Sequence, residues 1–205
     1  MSNKPKFITF TGIDDRTDLT RADKLSAKYP IEWGVLFSPK NQDARYPCEQ
    51  VVAEITCMPW RKSAHLCGGH SRDIQKGLKI PVPLAYFGRV QVNGSSVTTA
   101  YLSSLKNFSV DVILQTRGAF SLIPDEDFCY LFDRSGGKGS TPETIPTLPG
   151  HLVGYAGGMG PDTVSDYLSR IKGEGPFWID MEGQVRTNGW FDLDKVEKVC
   201  EIVYG

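Results

Sequence analysis

Two glycine clusters and the carboxylate beside one of them are the residues of this chain best suited to chemistry. The segment from 128 to 164 reads FCYLFDRSGGKGSTPETIPTLPGHLVGYAGGMGPDTV. Two apolar runs, Phe128–Phe132 and Leu152–Ala156, each lead straight into glycines. The first run meets Asp133 and then Gly136, Gly137, Lys138 and Gly139; the second meets Gly157, Gly158, Met159 and Gly160, with Pro161 and a helical pattern after it. An apolar run bounded by turn residues reads as a buried strand. Glycine after such a strand lets backbone N–H groups approach a ligand, and a following helix adds a dipole that favours an anion. Two such loops one unit apart predict a shared phosphate site at the carboxyl ends of parallel strands. Gly157, Gly158, Gly137 and Gly139 are its expected contacts. Asp133 is there either as a proton-transfer group or as a turn or capping aspartate.

The elements that must position these residues alternate along the chain. Lys6–Thr11, Ile31–Phe37, Ser63–Cys67, Arg89–Asn93, Val110–Thr116, Phe128–Phe132, Leu152–Ala156 and Phe177–Met181 read as eight strands. Helical spacing is present over Asp18–Tyr29, Cys48–Met58, Ser71–Leu78, Ser95–Lys106, Asp162–Lys172 and Leu193–Tyr204. Gly118–Asp127 has a weak helical pattern, and Thr141–Leu148 holds two prolines that leave room only for a short helix. Alternation argues for a parallel sheet, and eight units argue for a closed (β/α)₈ TIM barrel spanning residues 1–205 as a single domain. An open doubly wound sheet would carry its glycine fingerprint after the first strand; here the glycines follow the later strands, where barrels place phosphate sites.

The chain has 205 residues and a formal net charge of −1, with 40% hydrophobic and 23% charged residues. It holds no block of five like charges, which argues against nucleic acid and membrane surfaces as partners. No apolar run approaches the roughly 18 residues of a spanning helix, and the first ten residues, MSNKPKFITF, lack a secretory h-region. Five irregularly spaced cysteines read as reduced thiols of a cytoplasmic protein.

With the motifs taken in order, the chain resembles the phosphoribosylanthranilate isomerase family. FTGID at Phe10–Asp14, FSPKNQDARYPCEQV at Phe37–Val51, VQVNG at Val90–Gly94, LFDRSGGKG at Leu131–Gly139, YAGGMGPDTV at Tyr155–Val164 and WIDMEGQVR at Trp178–Arg186 stand where that family has its signatures. The resemblance implies the barrel and an Amadori rearrangement of an N-linked ribose 5-phosphate in tryptophan biosynthesis. It implies Asp133 as general acid, and it puts the strand-one catalytic position at Thr11, where the family has a cysteine base. It further implies substrate contacts from Arg45, Gln91 and Asp180, with Arg45 on the anthranilate carboxylate, and Gly183 beside the phosphate. Glu182 and Gly183 replace the family's phosphate-binding serines, and Asn93 replaces its histidine after strand four.

A threonine hydroxyl is not a plausible base without a helper. Cys67, His65, Asp14 and Asp15 are therefore alternative sources of one. His65, Cys67 and His70 have H-x-C-x₂-H spacing but no CxxC or HExxH partner, which argues against zinc, and a buried thiol and a hydrogen-bonded histidine are preferred to a base at Cys67 or His65. No cofactor and no metal are expected. The expected ligand is a phosphorylated sugar, and the expected assembly a monomer or homodimer. Two further readings stay open: a lyase or epimerase acting on another phosphosugar, and a non-catalytic barrel that binds a phosphate ligand.

Overall fold

The computed structural model describes residues 4–40, 43–93, 110–118, 120, 128–134 and 140–205. Eight strands run in parallel: β1 (Ile8–Thr11), β2 (Ile31–Phe37), β3 (Arg61–Leu66), β4 (Arg89–Val92), β5 (Asp111–Thr116), β6 (Phe128–Phe132), β7 (Val153–Ala156) and β8 (Phe177–Met181). Each pairs with its neighbour in sequence, and β1 pairs with β8 through Ile8↔Ile179 and Phe10↔Met181, so the sheet closes into a barrel. This is the (β/α)₈ architecture expected from the alternation. All eight carboxyl ends open on one rim, where barrels of this class build their sites.

Five α-helices lie among the described residues: α1 (Leu19–Lys28), α2 (Glu49–Cys57), α3 (Gly68–Gln75), α4 (Val164–Arg170) and α5 (Leu193–Tyr204). Local chemistry sets their ends. The Asp18 carboxylate accepts from the Arg21 N–H at the start of α1, and Asp192 accepts from the Asp194 and Lys195 N–H groups at the start of α5. Leu193, Val196, Val199, Cys200 and Val203 bury one face of α5 against the barrel. The expected helices over Ser95–Lys106 and most of Gly118–Asp127 lie outside the described residues. Residues 141–148 form no helix.

One boundary departs from expectation. The helix predicted at Ser71–Leu78 starts three residues earlier, at Gly68. Two glycines are poor helix formers, so propensity places the start after them. The structure uses them for close approach instead: a Cβ at Gly69 would lie 2.5 Å from the Pro39 ring. At the other end Gly77, at φ +73°, stops the helix before Leu78.

Strand alternation fills the barrel unevenly. Phe7, Ile113, Leu131, Ala156 and Trp178 form an apolar cluster on the β5–β8 side. The β1–β4 side holds buried Thr9, Thr11, Glu32, Ser63, His65, Arg89 and Gln91. Glu32 and Arg89 join there in a two-bonded ion pair of 2.9 and 3.0 Å, with Thr9 donating to the same carboxylate. Trp33 faces the opposite way and packs between the sheet and the helices against Phe10, Trp60 and Phe191.

Candidate active site

Thr11 ends β1 with its hydroxyl inside the barrel mouth. It donates to Asp180 Oδ1 at 2.7 Å, tying β1 to β8. Glycine at residue 34 lets Thr11 and His65 close in on β2: a Cβ there would lie 2.5 Å from Thr11 Oγ1 and 2.9 Å from His65 Nε2. Asp180 is buried, and burial pushes its carboxyl up to about 7. The hydrogen bond from Thr11 acts against that shift, while Glu182, Asp133 and Glu32 add to it.

Asp133 follows β6 on the same rim and is buried. Gly157 lies beside it: a Cβ there would come 3.7 Å from Asp133 Oδ1, an ordinary contact, while the positive φ of +105° and the Ser140 carbonyl at 3.1 Å are what call for glycine. Asp133 and the glycine turn after β7 thus share one mouth. Gly158, at φ +70°, accepts from Thr163 Oγ1 through its carbonyl and continues that turn. Gly160 packs its backbone against Gln184, bringing the β7 and β8 loops together. Gly183 opens a short 3₁₀ turn, Gly183–Val185, directly after Glu182. Gly137 and Gly139 lie outside the described residues.

Arg45 reaches the mouth from the loop after β2, already engaged. It pairs with Asp43 at 3.0 Å and with Glu182 at 3.3 Å. These carboxylates raise its guanidinium above the ordinary value, Asp43 most strongly. Burial raises Glu182 while Arg45 lowers it. The residue that stands where the family has a phosphate serine is thus held by a cation.

Sequence reasoning overlooked Arg186. It donates to the Gly12 carbonyl, to Asp14 Oδ2 at 2.8 Å and to the Ala44 carbonyl, so one side chain ties the loops after β1, β2 and β8. The signal was Asn188-Gly189, a hairpin dipeptide. Both residues have positive φ and turn β9 (Arg186–Thr187) into β10 (Trp190–Phe191). Asp14, a possible base from the sequence, is fully buried between Arg186 and the Phe191 N–H. Asp15 accepts the Cys48 N–H.

His65 faces the interior, 2.9 Å from Ser63 Oγ, and burial holds its ring down at about 3, hence neutral. Cys67 accepts from Asn93 Nδ2 at 3.1 Å, and Asn93 Oδ1 accepts from Gln91 Nε2. Burial raises the Cys67 thiol, so it stays protonated. Gln91 is buried, and its Oε1 has no hydrogen-bond partner among the described residues. Among the described residues no group of three His, Cys, Asp or Glu side chains gathers to hold a metal, and His70 lies on α3. No described helix is long and apolar enough to cross a membrane.

The family model for N-(5'phosphoribosyl)anthranilate (PRA) isomerase matches residues 86–202, more than half of the chain. The chain belongs to this isomerase family. Solved structures agree on the fold. A phosphoribosyl anthranilate isomerase in complex with reduced 1-(o-carboxyphenylamino)-1-deoxyribulose 5-phosphate is 17% identical, with a TM-score of 0.61 over 96% of this chain and 97% of that one. The isomerase of Pyrococcus furiosus is 16% identical, with a TM-score of 0.60 over 95% and 96%. Monomers generated from the dimeric isomerase of Thermotoga maritima are 16% identical, with a TM-score of 0.58 over 95% of both chains. No curated protein matches by sequence.

Proposed function

We propose that this member of the PRA isomerase family catalyses the Amadori rearrangement of N-(5′-phosphoribosyl)anthranilate from a single barrel mouth. The observation that carries the reading is the meeting of Asp133 and the Gly157 turn at the carboxyl rim, in a chain of this family. Asp133 protonates the furanose ring oxygen, and the C1′–O4′ bond breaks to give the open Schiff base. Arg45 exchanges its present carboxylate partners for the anthranilate carboxylate, for which a guanidinium fork is suited. The phosphate rests on backbone amides around Gly157, Gly158 and Gly183, with Gly137 and Gly139 completing the cradle. Gln91 and Asp180 line the ribose end. The protein works without a cofactor or metal, in the cytoplasm, as a single-domain monomer or homodimer.

The test is turnover of N-(5′-phosphoribosyl)anthranilate by the purified protein, together with rescue of a strain lacking the isomerase. Absence of both sinks the named reaction. A second reading has one observation in its favour: Glu182, which stands where the resemblance puts a phosphate serine, is paired with Arg45. A lyase or epimerase using Asp133, Asp180 and Glu182 on another phosphosugar fits that change, as does a silent phosphate-binding barrel. If the wild type is inactive on this substrate, gain of isomerase activity by Thr11→Cys marks a decayed isomerase site, and unchanged inactivity marks a repurposed one.

A further inference from the structure

The family's proton-abstracting cysteine is a threonine here, and a threonine hydroxyl that donates a hydrogen bond is not a base. Some other group at the rim must remove the C2′ proton if the proposed rearrangement proceeds. The geometry narrows the choice. Asp14 is spent on Arg186 and the Phe191 N–H, and Asp15 on the Cys48 N–H. His65 is neutral and weakly basic inside the barrel beside Ser63. Cys67 is a thiol held by Asn93. Asp133 is assigned to the ring oxygen.

We infer that Asp180 is the catalytic base of the reaction, held at the strand-one position by the Thr11 hydroxyl 2.7 Å from its Oδ1. This rests on the isomerase reading and names the one group which that reading leaves open. Thr11 occupies the residue from which the family's base acts, and its hydrogen bond places the neighbouring carboxylate within one bond of that point. Gly34 on β2 has no side chain, and the Thr11 hydroxyl takes that space: a Cβ there would lie 2.5 Å from Thr11 Oγ1. The groups facing Asp180 are Thr11 on β1, Glu32 on β2, Asp133 after β6 and Glu182 at the end of its own strand. Three are carboxylates, which together with burial keep Asp180 poised near neutrality, where a base both exists in its ionised form and accepts a proton readily.

The step balances without another reactant. The Asp180 carboxylate takes the C2′ hydrogen as a proton. The C–H electron pair forms the C1′=C2′ bond, and the iminium π pair returns to nitrogen, giving the enolamine. A proton then leaves O2′ and one arrives at C1′, giving the ketone. The proton lost by Asp133 and the one gained by Asp180 exchange through water.

The test is the pH profile of kcat/KM for N-(5′-phosphoribosyl)anthranilate with three proteins: the wild type, Asp180→Asn and Thr11→Val. For the wild type the rate should fall as pH drops through about 7. Asp180→Asn should lose about 10²-fold or more in kcat, with KM changed only a few-fold. Thr11→Val removes the interaction that favours the charged form, so its acid limb should move up by about half a pH unit or more. A merely structural Thr11 would lower the rate without moving that limb. Asp180→Asn within fivefold of wild type, or an unmoved limb in Thr11→Val, overturns the assignment while leaving the isomerase intact. A wild-type protein without turnover overturns both together.

Discussion

At the scale of the residue, Asp180 should show a conflict between activity and stability. Burial holds its carboxyl at about 7 in the fold, against about 3.9 in an unfolded chain. The native state therefore binds the proton more tightly, and stability is lost as pH rises from the unfolded value through the folded one. Asp180→Asn removes that loss. The variant should be more stable than wild type by about 2–4 kcal/mol above pH 7.5, and the gap should close towards pH 4. Urea midpoints at pH 4.5 and 8.5 check this; equal gaps at both would show that the carboxylate is not strained by its site. Such a residue is half legible in a sequence. The run WIDM announces an apolar strand with one acid in it, and alternation puts Asp180 and Glu182 on one face. What no spacing tells is that Thr11, 169 positions away, donates to it.

At the scale of the element, the β9–β10 hairpin is the piece that holds the rim together. Its Asn188-Gly189 turn was legible, but its purpose was not. A short hairpin after the last barrel strand has no apolar alternation to give it meaning, and Arg186 reads as a solvated charge. The structure leaves Arg186 only 7% exposed and Asp14 at 0%. Removing one partner of such a pair strands the other in a dry place. Arg186→Met should therefore cost about 3 kcal/mol and release the loops after β1 and β2 together. Chemical denaturation measures the first effect, and hydrogen exchange at residues 12–17 and 43–46 the second. Loss of stability without faster exchange in both loops would mean that the three hydrogen bonds are not one tie. The misplaced start of α3 has a similar cause. Gly68 and Gly69 argue against a helix locally; the contact with Pro39 from the preceding unit accounts for Gly69, and a positive φ of +57° accounts for Gly68.

At the scale of the whole molecule, eight apolar runs in alternation with helices were enough to predict closure, because that pattern reports which segments are buried on both faces. It was silent about what fills the barrel. In β2, the run IEWGVLF, Glu32 reads as an exposed acid or a strand end, yet it is fully buried. Its partner Arg89 comes from β4, and nothing local links the two. Arg89 also lies over Trp178, 4.2 Å from the ring centroid, so it bridges the polar β1–β4 half of the interior to the apolar β5–β8 half. A desolvated pair of this kind is costly to assemble and more costly to break. Arg89→Leu alone should destabilise the barrel by about 3–5 kcal/mol, since it leaves the buried Glu32 carboxyl without its cation. Combining Glu32→Gln with Arg89→Leu removes the stranded carboxyl, so the double variant should recover much of that loss. A double-mutant cycle on unfolding free energies reads the coupling directly. If the two single costs simply add, the ion pair is a by-product of burial. If they couple strongly, the pair sets the register between β2 and β4. It then holds Gly34 and His65, two positions above, where they pack beside Thr11.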